Sequence, residues 1–202
     1  MADPRPDVTD TLAPLLAEIR ACRLCEAELP MGPRPVVRAS ATARLLIVGQ
    51  APGLKVHESG VPWNDASGIR LRHWLGIDRE HFYDERDVAI VPMGFCYPGR
   101  GTAGDLPPRP ECARAWHPRL LPLLPAVELT LLIGHYAQAY MLGNRRKATL
   151  TDTVRAHAEY LPRFLPLPHP SPRNQLWIKA NPWFEADVVP LLRGEVAAVL
   201  GR

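Results

Sequence analysis

Four short apolar runs, each ending in loop-forming residues, constrain this chain more than any other feature. The first is ARLLIV at 43–48, which leads into GQAPG at 49–53. The others are DVAIVPM at 87–93, LTLLIGH at 129–135 and the weaker RFLPLPHPS at 163–171. Runs this short, and continuous rather than alternating, fit strands buried on both faces. Helical patterns fall between them, over Gly68–Leu75, Glu111–Leu124 and His135–Leu142. Buried strands alternating with helices predict an α/β fold, a parallel sheet between two helical layers. With 202 residues, 47% of them hydrophobic, one domain has enough apolar side chains for its own core. In such sheets ligands bind beyond the carboxyl ends of the strands. That places the chemistry in the loops at 49–65, 92–110 and 169–179.

Both ends of the chain extend this reading. Residues 1–9 are expected to form a flexible tail, with a single domain over 10–202. Leu12, Leu15, Leu16 and Ile19 lie at helical spacing, so a helix is expected from Asp10 toward Cys22, with Pro14 in its first turn. The last helix is expected to open with Asn181 as cap and Pro182 as first residue, and to kink at Pro190. There are 23 prolines, about twice the average usage of roughly 5%, and they are expected to shape loops. No apolar run reaches the roughly 20 residues of a membrane span, so no membrane partner is expected. The opening MADPRPDVTD is polar and acidic, unlike a secretory signal, which makes a cytoplasmic location the expectation. A net charge of +3 permits a nucleic-acid partner without requiring one.

In a reducing compartment four cysteines point to a metal site, a redox pair or scattered core residues. Their pattern is Cys22-x2-Cys25, then 70 residues, then Cys96-x15-Cys112. One close pair with two distant partners suits four thiolates around zinc or an iron–sulfur cluster. Small buried apolar residues are the alternative.

GQAPG at 49–53, HPSPRN at 169–174 and GVPWNDASGIRLRHWLGI at 60–77 together resemble the uracil-DNA glycosylase superfamily. The first resembles that superfamily's first motif. The second resembles its second motif, most closely the form in the single-strand-selective monofunctional enzymes. The third resembles the segment that supplies an aromatic stacking residue and the helix after it. The cysteine spacing is similar to that of the family 4 enzymes, which carry a four-iron cluster. The likeness covers residues 20–200 in consistent order. It implies a three-layer α/β/α sandwich around a four-stranded parallel sheet. It also implies a monofunctional glycosylase of base-excision repair, acting on uracil or a related deaminated base in single- or double-stranded DNA. No obligate protein partner is implied. The alternative is an inactive member that holds damaged or single-stranded DNA.

That chemistry breaks an N-glycosidic bond, leaving negative charge on the base and oxocarbenium character on the sugar. It needs donors aimed at the departing base, a held water and a pocket that takes the base out of its stack. By resemblance, His169 is the donor and Gln50 orients water or contacts the base. Gly49, Ala51 and Gly53 allow close backbone approach, and Trp63 stacks on the base with Asn64 and Asp65 beside it. Ser171, Arg173, Asn174 and Leu176 face DNA, with Leu176 as a wedge. Cys22, Cys25, Cys96 and Cys112 hold a four-iron cluster, with zinc as the alternative. Two positions depart from the pattern. Ala51 stands where family 1 has an acid and the single-strand-selective group an Asn, which leaves Glu58, Asp65 or Asp105 to manage the water, or a water positioned without a general base. Pro92 stands where family 4 has the Asn that reads the base edge, which leaves Asn64, Asn174 or backbone near Phe95.

Overall fold

The structure is a computed structural model, and it describes residues 8–102 and 104–201. Its strands are β1 (Leu45–Val48), β2 (Val88–Ile90), β3 (Arg100–Gly101), β4 (Gly104–Asp105), β5 (Leu129–Ile133) and β6 (Phe164–Leu167). Its α-helices are α1 (Val8–Arg20), α2 (Leu54–Ser59), α3 (Ala66–Leu75), α4 (Arg79–Phe82), α5 (Pro110–Leu120), α6 (His135–Leu142), α7 (Leu150–Arg155), α8 (Gln175–Ala180) and α9 (Val189–Leu200). The four apolar runs form one parallel sheet in the order β2-β1-β5-β6, and β3 and β4 form a separate small hairpin. This is the expected three-layer α/β/α sandwich.

Every residue of the four sheet strands is buried, because helices cover both faces. Leu46, Val48, Ala89 and Leu132 point into one core, where they meet Leu15, Leu16 and Ile19 of α1, Trp116 and Leu120 of α5, and Ala137 of α6. Leu45, Ile47, Ile90, Leu131 and Leu165 point into the other, against Leu71 and Trp74 of α3, Phe184, and Leu192 and Val196 of α9. Alternate residues of one strand therefore feed opposite cores, as the period of two requires. β6 contains Pro166, which the sheet accepts because β6 is an edge strand with one ladder to satisfy. Among the described residues no helix is long and apolar enough to cross a membrane.

The structure corrects several boundaries. Residues 1–7 of the expected tail lie outside the described residues, whereas α1 already begins at Val8. Pro14 therefore sits in the middle of α1, with its ring on the exposed side. The expected Glu111–Leu124 helix is α5 followed by a tighter 3-10 turn at Leu121–Leu123, where Pro122 lacks the N–H to continue the α-helical ladder. Asn181 does not cap a backbone N–H: its side-chain oxygen accepts from the Trp183 indole at 3.1 Å. Before α9, residues Phe184–Val188 form a π-helical turn, and Pro190 follows in the first turn of α9. The irregularity expected at Pro190 is thus taken up by a wider turn upstream. The short helices α2, α4, α7 and α8 fall in stretches too brief for a periodic signal.

Candidate active site

β1 leads to β2 on one side of the sheet, and after β2 the chain crosses to β5 on the other. The switch point between β1 and β5 is where a ligand site is expected. A cavity of about 560 Å³ opens there, at the carboxyl ends of β1, β2 and β6. Ten of the expected site residues line it: Gly49, Gln50, Ala51, Gly53, Trp63, Asp65, His169, Ser171, Arg173 and Asn174. Two others do not. The Asn64 side-chain oxygen accepts from Arg79 at 3.2 Å, away from the lining. Leu176, on α8, is 81% exposed and stands outside the cavity.

His169 follows β6 by two residues. Its Nδ1 accepts the Ser171 backbone N–H at 3.1 Å, which leaves the proton on Nε2. Burial pulls the imidazole down to about 4, against the opposing influence of the Asp65 carboxylate. His169 is therefore a neutral donor at pH 7. The turn that delivers it is built from its own neighbours. Asn174 Nδ2 donates to the His169 carbonyl at 3.0 Å, and the Arg173 N–H donates to Ser171 Oγ at 3.2 Å. Arg70 of α3 reaches across to the Ser171 carbonyl and to Gln175 Oε1, tying this loop to α3.

Trp63 adopts φ +55°, a left-handed conformation that non-glycine residues seldom take. Several neighbours hold it there. Asp65 caps α3 by accepting the Gly68 N–H at 2.9 Å, and a side chain on Gly68 would overlap the Trp63 carbonyl. Arg72 donates to that carbonyl, and Tyr83 donates to the Pro62 carbonyl at 2.7 Å. The result places the indole over Gly49, where an added Cβ would stand 2.9 Å from the ring, and 5.7 Å between centroids from His169. Strain of this kind, of order 1–3 kcal/mol, persists where surroundings over-determine it and marks functional positions. The sequence signal for this turn was Gly68, three residues after Asp65, a pattern that reads equally as an ordinary helix start.

Gln50 crosses to the turn after β5, where its Nε2 lies 2.5 Å from the position a Gly134 Cβ would occupy. Its carbonyl accepts the Gly94 N–H, and the Gly49 carbonyl accepts the Met93 N–H, so the first motif is bonded to the loop after β2. Pro92 lines the cavity, and its carbonyl accepts from buried His117 Nε2 at 3.0 Å. Phe95 does not line the cavity: its N–H donates to Cys112 Sγ and its carbonyl accepts from Val36. Of the three carboxylates expected to manage water, Glu58 is outside the lining, Asp65 is committed to the α3 cap, and Asp105 of β4 stands on the wall near Gly53. Arg173 packs against Gly104 of the same hairpin. Sequence reasoning overlooked Lys55, the lysine of α2, which lines the cavity from an exposed position.

The four cysteines line a second, smaller cavity of about 20 Å³. They arrive from three segments: the loop after α1, the loop after β2, and α5. Among the described residues no His, Asp or Glu lines it with them. Among the described residues no three His, Cys, Asp or Glu side chains are grouped to hold a metal ion. Burial pushes the Cys96 thiol up to about 11 and Cys112 to about 12.

Neutral His169, Trp63 over the Gly49 turn, Asp105 on the wall and Arg173 meet in one cavity, an arrangement that can stack a flat ring and donate a hydrogen bond to it. The family model of the uracil DNA glycosylase superfamily matches residues 37–193, and the chain belongs to that superfamily. The match spans both motifs, Trp63, Cys96 and Cys112, whereas Cys22 and Cys25 precede it. Members of that superfamily are generally glycosylases, hydrolases of DNA repair that act on DNA.

Proposed function

We infer that this protein is a monofunctional glycosylase that hydrolyses the bond between deoxyribose and uracil, or a related deaminated base, in DNA and so opens base-excision repair in the cytoplasm. The observation that carries this reading is the state of His169: neutral, with Nδ1 occupied by the Ser171 N–H and Nε2–H left as a donor. As the glycosidic bond breaks, its electron pair moves onto the base, and Nε2–H donates to the uracil O2 where that charge collects. A neutral donor stabilises the departing anion without first having to lose a proton. Trp63 stacks on the flipped base, worth about 1–3 kcal/mol. Water adds to the sugar carbon, held by Asp105 or Gln50, and its proton passes to solvent. Asn174 and backbone N–H groups of the 49–53 turn face the base edge in place of the family 4 Asn. Arg173 and Lys179, an exposed residue of α8, contact phosphates, and exposed Leu176 of the same helix enters the duplex.

Two further points belong to this reading. Lys55 is exposed on α2 and lies outside both motifs, which supports hydrolysis without a covalent step. The cysteine cavity suits an iron–sulfur cluster: four thiols, a wall of Leu, Pro, Gly, Phe and Trp with Arg109, and, among the described residues, no competing ligand. Zinc, with each sulfur about 2.3 Å from the ion, is the alternative metal. The cluster would be structural, tying the end of α1 to the loop after β2 and to α5.

A second reading, a member that binds damaged DNA without cleaving it, is favoured by Ala51 and Pro92, which put apolar groups where relatives carry an acid and an amide. One assay separates the two. Single- and double-stranded oligonucleotides carrying uracil, hypoxanthine or xanthine are incubated with the protein and then cleaved with alkali at abasic sites. Base release supports the glycosylase, and binding without release supports the second reading. A DNA adduct trapped by borohydride, and lost in Lys55→Ala, would overturn the monofunctional assignment.

A further inference from the structure

The wall of the cysteine cavity holds two donors with nothing to donate to. Arg109 and Trp116 both line it. The Arg109 Nε–H and the Trp116 Nε1–H are buried and have no hydrogen-bond partner among the described residues. A buried donor left unmet is costly, and each such group calls for an acceptor. The helix geometry explains why both sit here: Trp116 lies one turn beyond Cys112 on α5, and Arg109 caps the same helix three residues before it. Arg109 is also the one charged residue in a wall otherwise made of thiols, Leu, Pro, Gly, Phe and Trp. Its Nη2 donates to Glu111 at 2.7 Å and its guanidinium lies beside Cys25, so the Nε–H remains to be placed. A third donor already shows the pattern, since the Phe95 backbone N–H reaches Cys112 Sγ at 3.3 Å.

We propose that the Arg109 Nε–H and the Trp116 Nε1–H donate hydrogen bonds to sulfurs of the metal centre held by Cys22, Cys25, Cys96 and Cys112. This rests on the iron–sulfur reading above. Such bonds stabilise negative charge on sulfur and raise the reduction potential, and they hold the ligands in register. The guanidinium adds a cation next to a centre whose thiolates carry net negative charge.

The test uses the full chain purified without air. Trp116→Phe deletes one N–H and leaves a smaller aromatic ring on the side of α5 that faces Arg119. Arg109→Lys deletes the other and keeps the charge facing Glu28 and Glu111. Arg114→Lys, on the exposed side of α5, is the control. Loss of iron to a chelator should be about 10–100-fold faster in the first two variants, with a lower midpoint potential, and unchanged in the control. In wild-type protein exchanged into deuterium oxide, two exchangeable protons besides the Phe95 amide should couple magnetically to the reduced centre. Iron- and sulfide-loaded variants with wild-type release and potential would overturn the proposal. So would a wild-type centre without those couplings, a measurement that does not depend on either variant folding. Wild-type protein that holds neither iron nor sulfide overturns the cluster reading itself, and the proposal with it. That outcome is read before any variant is made.

Discussion

His169→Ala removes a donor whose protonation state the structure specifies, and this gives the test two arms. With its imidazole pulled down to about 4, only about one molecule in a thousand carries a charged His169 at pH 7. The donor is therefore already neutral, and no proton on His169 is gained or lost between pH 5.5 and 8.5. Single-turnover excision by the wild type should be free of any step from this residue across that range. Losing one donor of this kind typically costs about 10²–10³ in rate, so His169→Ala should fall by that factor while DNA affinity stays nearly unchanged. The bond it makes tightens only as the base leaves, which places the loss in the chemical step. The second arm is stability. Because the folded-state value lies below the ordinary 6.5, the unfolded chain binds more protons between about 4 and 6.5. Stability is then fully present above about 6.5 and lost as pH falls toward 4, by up to roughly 3 kcal/mol, and His169→Ala should lack that component. Urea titrations at pH 7 and pH 4.5 measure the difference. A folded His169→Ala that excises at the wild-type rate would refute the site assignment. A wild-type rate that titrates near 6.5 and loses that step in His169→Ala would refute the neutral-donor mechanism.

Other perturbations test the remaining parts. Trp63→Ala should weaken binding of oligonucleotides carrying the target base by about 1–3 kcal/mol, measured by fluorescence anisotropy, whereas Trp63→Phe should keep most of it. Gly68→Ala brings a methyl group onto the Trp63 carbonyl and should cost about 1–3 kcal/mol of stability, read from chemical denaturation, together with excision. Equal stability in Gly68→Ala would show that the Trp63 turn is not held as described. Cys96→Ser should yield protein that is poorly soluble and low in iron, because thiolate ligation and folding are coupled, and metal analysis against the wild type checks it.

The architecture was legible because it rests on local apolar density. Leu45–Val48, Val88–Ile90, Leu129–Ile133 and Phe164–Leu167 read as buried strands, and each is buried on both faces. His135–Leu142 matches its helix residue for residue, since Gly134 and Gly143 bracket it. The parts that were missed lack a local signal. α2 and α8 are six residues each, shorter than two turns, too brief for a periodic apolar face to show, even though Gly53 and Gly60 bracket α2. Asn181 reads as a helix cap, but the Trp183 indole claims its oxygen, a contact that spacing alone does not reveal.

The same division runs through the site. Resemblance to the superfamily's motifs picked out GQAPG, Trp63 and HPS, and their residue types suit that chemistry, because a turn that approaches a ligand needs glycine and a departing anion needs a donor. Sequence also supplied the four cysteines and their spacing. It did not decide that Asp65 would be spent on the α3 cap while Asp105, from a hairpin 40 residues on, reached the wall near Gly53. Nor did it decide that Asn64 would turn to Arg79, or that Lys55 would face the cavity. The charge state of His169 depends on burial, opposed by the Asp65 carboxylate, and its tautomer on one N–H from Ser171, so both exist only in the folded chain. Local sequence determines which chemistry each segment carries, because motif and periodicity are short-range. Tertiary structure determines which groups remain available for that chemistry, because hydrogen-bond partners and desolvation come from residues far away along the chain.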